Sequence, residues 1–315
     1  MIRFRFFALT DKSIPWQIKL IVSVLLLVLI LWKFPIPDIV SNLKNAKLGW
    51  VFASFLISEL IILNQAFRWN YLLIVPSEQK PKFSVLLKYT AAGYLFNSFA
   101  PGGLGGDAYR SIALGRAHNV IASSIASVFV ARILGLWALC LLFWFALPHF
   151  WQIPIGQIPK QAIWFMAAVT LFLIIFCICI AFNPFKKGKF GILAEKLREY
   201  RKYPLRLIVA MSGSLFMQIL AVITHLLLFK AVGISVPLSL VFVIVPVTAL
   251  LTTIPISFNG IGVREWSLLS LTAFAINSEQ LLAAMFLGYA VVILQAIQGG
   301  IIFLIYSNDS KTAIL

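Results

Sequence analysis

Residues 96–110 read FNSFAPGGLGGDAYR, and residues 255–265 read PISFNGIGVRE. Proline, glycine, an acid and an arginine crowd into both, in a chain that is 61% hydrophobic and only 11% charged. An ordinary soluble domain carries roughly 25% charged residues, so the sequence around these two stretches is membrane sequence. Proline removes a backbone donor and glycine admits positive φ, so each stretch is expected to break a helix. Backbone groups freed by a break cannot face lipid and must line a polar cavity or be buried in protein.

Outward from the breaks, apolar spans fall at 16–32, 50–75, 84–99, 120–147, 161–182, 206–230, 237–258, 260–275 and 280–306. The yardstick is the run of about 20 apolar residues that crosses a bilayer core as a helix. Spans 84–99, 237–258 and 260–275 are short or interrupted by Gly and Pro, which marks them as half-helices. Orientation follows from the basic residues, which gather on the cytoplasmic side. Arg3, Arg5, Lys12 and Lys19 place the amino terminus there. The loop with Lys186, Lys187, Lys189, Lys196, Arg198, Arg201, Lys202 and Arg206 is cytoplasmic too. Against anionic lipid each such cation adds about 1 kcal/mol. Lys44 and Lys47 then fall outside, against the rule.

Parity puts Lys80, Lys82 and Lys88 on the cytoplasmic side together with Arg110 and Arg116, so span 84–99 must dip into the membrane and return. For 237–275 parity permits either a re-entrant pair or two crossings, and the carboxyl terminus is cytoplasmic in both cases. The expected fold class is an all-α polytopic membrane protein: about six full crossings plus two Gly/Pro-broken re-entrant segments in an inverted repeat. It is one transmembrane domain, 1–315, with pseudo-repeats 1–147 and 161–306, in the cell (cytoplasmic/inner) membrane.

Setting Pro101 on Pro255, an offset of 154, lays Gly106 on Gly260 and Arg110 on Arg264, with Asp107 and Glu265 as the nearby acids. Breaks entered from opposite faces are related by a pseudo-two-fold axis in the membrane plane. An arginine beside a half-helix amino terminus is placed to hold a phosphate. The breaks therefore read as a binding site for an anionic head group, with tight loops and a positive-inside Arg110 as the plainer alternative. A nucleotide loop is excluded, because no strand precedes the glycines and no Gly-Lys-Ser/Thr follows.

Glu59, Asn64, Gln65 and Arg68 lie in or near the second span, and Arg132 lies a dozen residues into span 120–147. A charge at such depth costs about 2.5–3.5 kcal/mol on insertion scales, so these side chains face a cavity or a partner. Asn64 and Arg68 share a helix face, and Glu59 lies about 180° from Arg68. Arg68, Arg110, Arg132 and Arg264 form a cationic path for a lipid phosphate. Snorkelling of Arg68 and a structural ion pair at Arg132 are the alternatives. Trp16, Trp32, Trp50, Trp69 and Trp151 sit near span ends and read as an aromatic belt, and Lys230 as a helix-end anchor.

The net charge of +16 belongs to the positive-inside loops and does not call for nucleic acid. Cys140, Cys177 and Cys179 lie inside apolar runs and offer neither a disulfide framework nor a CxxC site. His118, His149 and His225 lack HExxH spacing, so no metal or other cofactor is expected. The first span leads into Lys33-Phe34-Pro35 without a small-residue cleavage site, so no signal peptide is expected.

Pro101-Gly102-Gly103-Leu104-Gly105-Gly106-Asp107 with Arg110, and Asn259-Gly260-Ile261-Gly262-Val263-Arg264-Glu265, resemble the two signature stretches of the lysylphosphatidylglycerol synthase transmembrane family, the flippase-like domain family. The resemblance extends over nearly the whole chain, including Arg68-Trp69 and Arg132. It implies a domain that translocates aminoacylated phosphatidylglycerol and, in the best-understood members, is fused to a soluble synthase. The chain stops at Leu315 without that domain, so lysyl transfer is not expected of it. Ala131 stands where relatives often have an acid before the arginine, which leaves Arg132 without its implied partner.

The expected function is a lipid flippase or scramblase for an anionic, aminoacylated or lipid-linked head group. The alternatives are a secondary transporter of a small soluble anion and a non-catalytic membrane partner of a lipid-modifying enzyme. A membrane enzyme ranks last, because each break supplies one acid and no histidine. The expected substrate-binding residues are Arg68, Asn97, Pro101, Gly102, Gly103, Gly105, Gly106, Asp107, Arg110, Arg132, Pro255, Asn259, Gly260, Gly262, Arg264 and Glu265. The expected partners are a membrane phospholipid or lipid-linked substrate and, from the resemblance, a separately encoded synthase or glycosyltransferase.

Overall fold

The computed structural model describes residues 24–312, apart from 26–27, 31, 101, 152–159, 183–194, 258 and 274. Its helices are α1 (Ile36–Lys44), α2 (Leu48–Leu72), α3 (Phe83–Phe99), α4 (Leu104–Ala117), α5 (Ile121–Trp151), α6 (Lys160–Phe182), α7 (Pro204–Ala231), α8 (Leu238–Thr253), α9 (Val263–Thr272) and α10 (Ser278–Thr312). Among the described residues there is no strand. The all-α polytopic expectation holds: among the described residues five helices, α2, α7 and the stretches Ile121–Pro148, Lys160–Ile180 and Ser278–Tyr306, are long and apolar enough to cross a membrane. The expected span 16–32 falls largely outside the described residues, as do the four cations near the amino terminus and Lys186, Lys187 and Lys189.

The broken segments resolve into two helical hairpins. The first is α3 and α4, whose facing partners run in opposite chain order: Gly93 meets Gly106, and Phe96 meets Gly105. No span is expected over 100–119, yet Leu104–Ala117 is helical. Its sequence LGGDAYRSIALGRA has no apolar run to show it, and glycine costs a helix about 1 kcal/mol relative to alanine. Packing explains the exception. A Cβ on Gly105 would fall 2.1 Å from the Phe96 carbonyl oxygen, and one on Gly106 2.5 Å from that of Gly93. These two glycines let two backbones approach; they do not unwind a helix. The turn is made at Gly102 and Gly103, at φ +61° and +64°.

The second hairpin is α8 and α9, closed through 254–262. Ser267 donates to Thr248 Oγ1 across it at 3.2 Å, and buried Pro246 sits inside α8, where its ring removes a helical hydrogen bond.

The main core lies where α5, α7, α8, α9 and α10 meet, around Phe143, Val222, Phe229, Ile244, Leu268 and Leu282. Helix α6 is hydrophobic on all sides, with only 11% of its span buried, as a lipid-facing helix should be. Beyond the carboxyl end of α2, the Tyr200 hydroxyl donates to the Leu72 carbonyl. Burial pushes the pKa of this phenol up, which keeps the donor protonated.

Candidate functional site

The first hairpin sets a compact charge cluster. Asp107, in the first turn of α4, accepts at Oδ1 from Arg110 Nε at 3.1 Å and Nη2 at 2.8 Å. Its Oδ2 accepts from Arg132 Nη1 on α5 at 2.8 Å. Arg132 Nη2 also donates to the Gly102 carbonyl at 3.0 Å, tying α5 to the turn. The partner that Ala131 does not supply is therefore Asp107, reached through the fold.

Arg110 is 3% exposed. Its guanidinium lies 5.1 Å from the ring centroid of Trp69, within the range of a cation–π contact. Trp69 is fully buried and donates to Ser127 Oγ, so it is a wall of this cluster and does not belong to an aromatic belt. Arg68, one residue earlier on α2, is also 3% exposed. It donates from Nη1 to Ser214 Oγ on α7 at 2.7 Å, beside Asn64, which donates to the Gly213 carbonyl. The shared face of Asn64 and Arg68 is confirmed. Glu59 points elsewhere, to Gln295 and Gln298 of α10.

Arg68 is the chain neighbour of Trp69, the ring that the Arg110 guanidinium lies against. Two guanidiniums, those of Arg110 and Arg132, thus meet one carboxylate, and among the described residues Asp107 is the one acid that pairs with either of them. Arg68 Nε and Arg110 Nη1 are buried and have no hydrogen-bond partner in the protein. A buried donor of this kind costs about 1–3 kcal/mol when unmet, more when charged. The cluster thus holds unmet buried donors and more guanidiniums than carboxylates.

The second hairpin is arranged differently. Glu265 is 1% exposed; it accepts from the Gly262 N–H at 2.7 Å and from the Tyr289 hydroxyl of α10, and so caps α9. Arg264 is the second residue of α9, with its guanidinium 5.3 Å from the Tyr289 ring centroid. It donates to the Asn259 carbonyl at 3.4 Å, and among the described residues it has no ion pair.

The offset of 154 does not survive as a residue-by-residue equivalence. Gly103 and Gly262 hold the cap positions of α4 and α9, so Arg110 lies two turns into its helix and Arg264 in the first turn. The two breaks nevertheless touch: a Cβ on Gly102 would fall 2.8 Å from the Thr253 carbonyl oxygen and 3.7 Å from Pro255 Cα.

Of the remaining sequence-predicted residues, Asn97 accepts from the Gly106 N–H at 2.8 Å and pins the amino end of α4 to α3. Asn259 and Gly260 take positive φ in the second turn. Pro101 lies outside the described residues.

A cavity of about 220 Å³ opens between α2, α3, α7, α9 and α10, and Tyr94, His225 and Arg264 line it. Sequence reasoning missed Tyr94, Ser214 and Tyr289 and set His225 aside as a zinc ligand. No local spacing marks them, because each acts through a partner on a distant helix. Among the described residues no group of three or more His, Cys, Asp or Glu side chains converges.

No curated protein matches the chain. Residues 16–299 match the family described as the lysylphosphatidylglycerol synthase TM region. With most of its 315 residues inside that match, the chain is a member of the lysylphosphatidylglycerol synthase transmembrane family.

Proposed function

We propose that this protein translocates lipids with an anionic head group across the cell membrane, as a flippase or scramblase, and is a carrier with no catalytic step of its own. The observation that carries the reading is the cluster at the first break, where Arg110 and Arg132 hold Asp107, Arg68 stands beside Trp69 on α2, and two buried guanidinium N–H groups, of Arg68 and Arg110, are unmet. Moving a bare anion into hydrocarbon costs on the order of 20 kcal/mol by idealised Born solvation. Guanidiniums already desolvated and fixed by Trp69, Ser214 and Asp107 offset that cost without having to reorganise.

The phosphate passes along Arg68, Arg110, Arg132 and Arg264 while the acyl chains stay in the bilayer. In this reading the α3–α4 and α8–α9 hairpins are re-entrant elements of an inverted repeat, dipping from opposite faces so that their tips meet. Both termini are cytoplasmic, and a separately encoded synthase or glycosyltransferase supplies the lipid.

Fluorescent phosphatidylglycerol in proteoliposomes, with dithionite quenching the outer leaflet, tests the proposal. The wild-type protein should carry quenching well beyond half, and Arg110→Ala with Arg264→Ala should return it to near half. Quenching that stops near half in wild-type vesicles, for anionic, zwitterionic and aminoacylated lipids alike, would refute the scramblase form. Accompanying uptake of soluble phosphate would then favour the anion transporter.

A further inference from the structure

The cavity beside the second break has a charge character that narrows the head group. Its polar lining is Ser58, Tyr94, Thr224, His225, Arg264 and Gln295, set among apolar side chains. At about 220 Å³, and with a water taking about 30 Å³, it has room for one compact polar moiety and none for acyl chains. Two acids close by are already held by protein donors. Glu59 is engaged by Gln295 and Gln298, and Glu265 by the Gly262 N–H and Tyr289; neither lines the cavity.

One cation, Arg264, does line it. Arg264 has no ion pair among the described residues, and its hydrogen bond to the Asn259 carbonyl is a long 3.4 Å. His225 Nδ1 lies 2.8 Å from the Ala221 carbonyl; that acceptor places the proton on Nδ1 and leaves Nε2 to accept from a ligand. Tyr94, on α3 of the first hairpin, lines this cavity, and the two breaks touch where Gly102 meets the Thr253 carbonyl.

We infer that the cavity binds a second anionic group on the same head group, and that a terminal phosphomonoester is its best chemical match. Such a group presents anionic oxygens to Arg264 and, with a second pKa near 6, a P–OH to His225. An aminoacyl ammonium would meet a guanidinium and no lining carboxylate, so the cavity disfavours the lysylated head group that the family name suggests. The inference rests on the translocation reading, from which it takes the first phosphate.

The test is binding to the purified full-length protein in detergent, read by thermal shift. The probes are short-chain phosphatidylglycerol, phosphatidylglycerol phosphate, lysyl-phosphatidylglycerol and inorganic diphosphate. Wild-type protein should bind phosphatidylglycerol phosphate about tenfold more tightly than phosphatidylglycerol, the worth of one good charged contact, and the lysyl lipid most weakly. Arg264→Gln should bring the ratio of the first two to near one, and Arg264→Lys should keep it within about threefold of wild type.

A wild-type ratio of one, or tighter binding of the lysyl lipid, would overturn the inference whether or not the variants fold. A ratio that Arg264→Gln leaves intact would also overturn it. Diphosphate giving the same Arg264-dependent shift as the lipid would sustain the second-anion site but assign it to a soluble ligand. Phosphatidylglycerol movement with no preference among lipids removes this inference alone, whereas Arg264-dependent binding without movement removes only the translocation proposal.

Discussion

Asp107→Ala is expected to destabilise the protein by about 3 kcal/mol, the low end of the cost of stripping the partner from a buried ion pair. The low end applies because Asp107 and Arg132 are 20% and 27% exposed, while Arg110 beneath Trp69 is 3% exposed. The substitution removes three hydrogen bonds at once, two from Arg110 and one from Arg132. It leaves the Arg110 and Arg132 guanidiniums near one another with no carboxylate. Thermal unfolding of the detergent-solubilised variant should show a midpoint lowered by several degrees. Pairing the change with Arg110→Met should recover most of the loss, because the stranded charge leaves with its partner. An Asp107→Ala protein as stable as wild type would mean that the cluster is not what joins α4 to α5.

Arg68→Met should behave in the opposite way. The Arg68 stem packs against α7, with its Cβ and Cδ each 3.8 Å from where a Cβ on Gly213 would sit. Methionine keeps much of that packing and removes a charge that has no ion pair among the described residues. Replacing buried charge by apolar side chains of similar volume is often neutral or stabilising by about 1–4 kcal/mol. Stability should therefore hold or rise by about 1 kcal/mol, while phosphatidylglycerol translocation falls at least tenfold. The contrast separates a residue that holds the fold from one that serves transport. A fully active Arg68→Met protein would remove Arg68 from the path.

What the sequence made legible follows from where each signal resides. Long apolar runs announce themselves, so α2, α5, α6, α7 and α10 were readable with small shifts in their ends. Helix α4 was not, because the glycines that argue against a helix in isolation are required by its contact with α3. The candidate site was half legible. Arg68, Asp107, Arg110, Arg132 and Arg264 stood out as charges in apolar surroundings.

Their pairings could not be read, since Arg132 meets an acid 25 residues away and Arg68 a serine 146 residues away. The sequence match between the two breaks put Arg110 and Arg264 in corresponding places, but the helix caps show one deep in its helix and the other in the first turn. Trp69 lay near a span end and read as an interface anchor, and only the approach of Arg110 from α4 to its ring makes it a wall of the cluster.

The central claim is that a lipid phosphate is held inside the membrane by the arginines of the first break. Its most direct test is to image the full-length protein in phosphatidylglycerol nanodiscs by electron cryo-microscopy, at a resolution that shows head groups. A phosphate within hydrogen-bond distance of Arg68 or Arg110, away from both leaflet surfaces, is the expected result. Lipid phosphates confined to the two leaflet surfaces, with both guanidiniums contacting only protein and water, would contradict the claim.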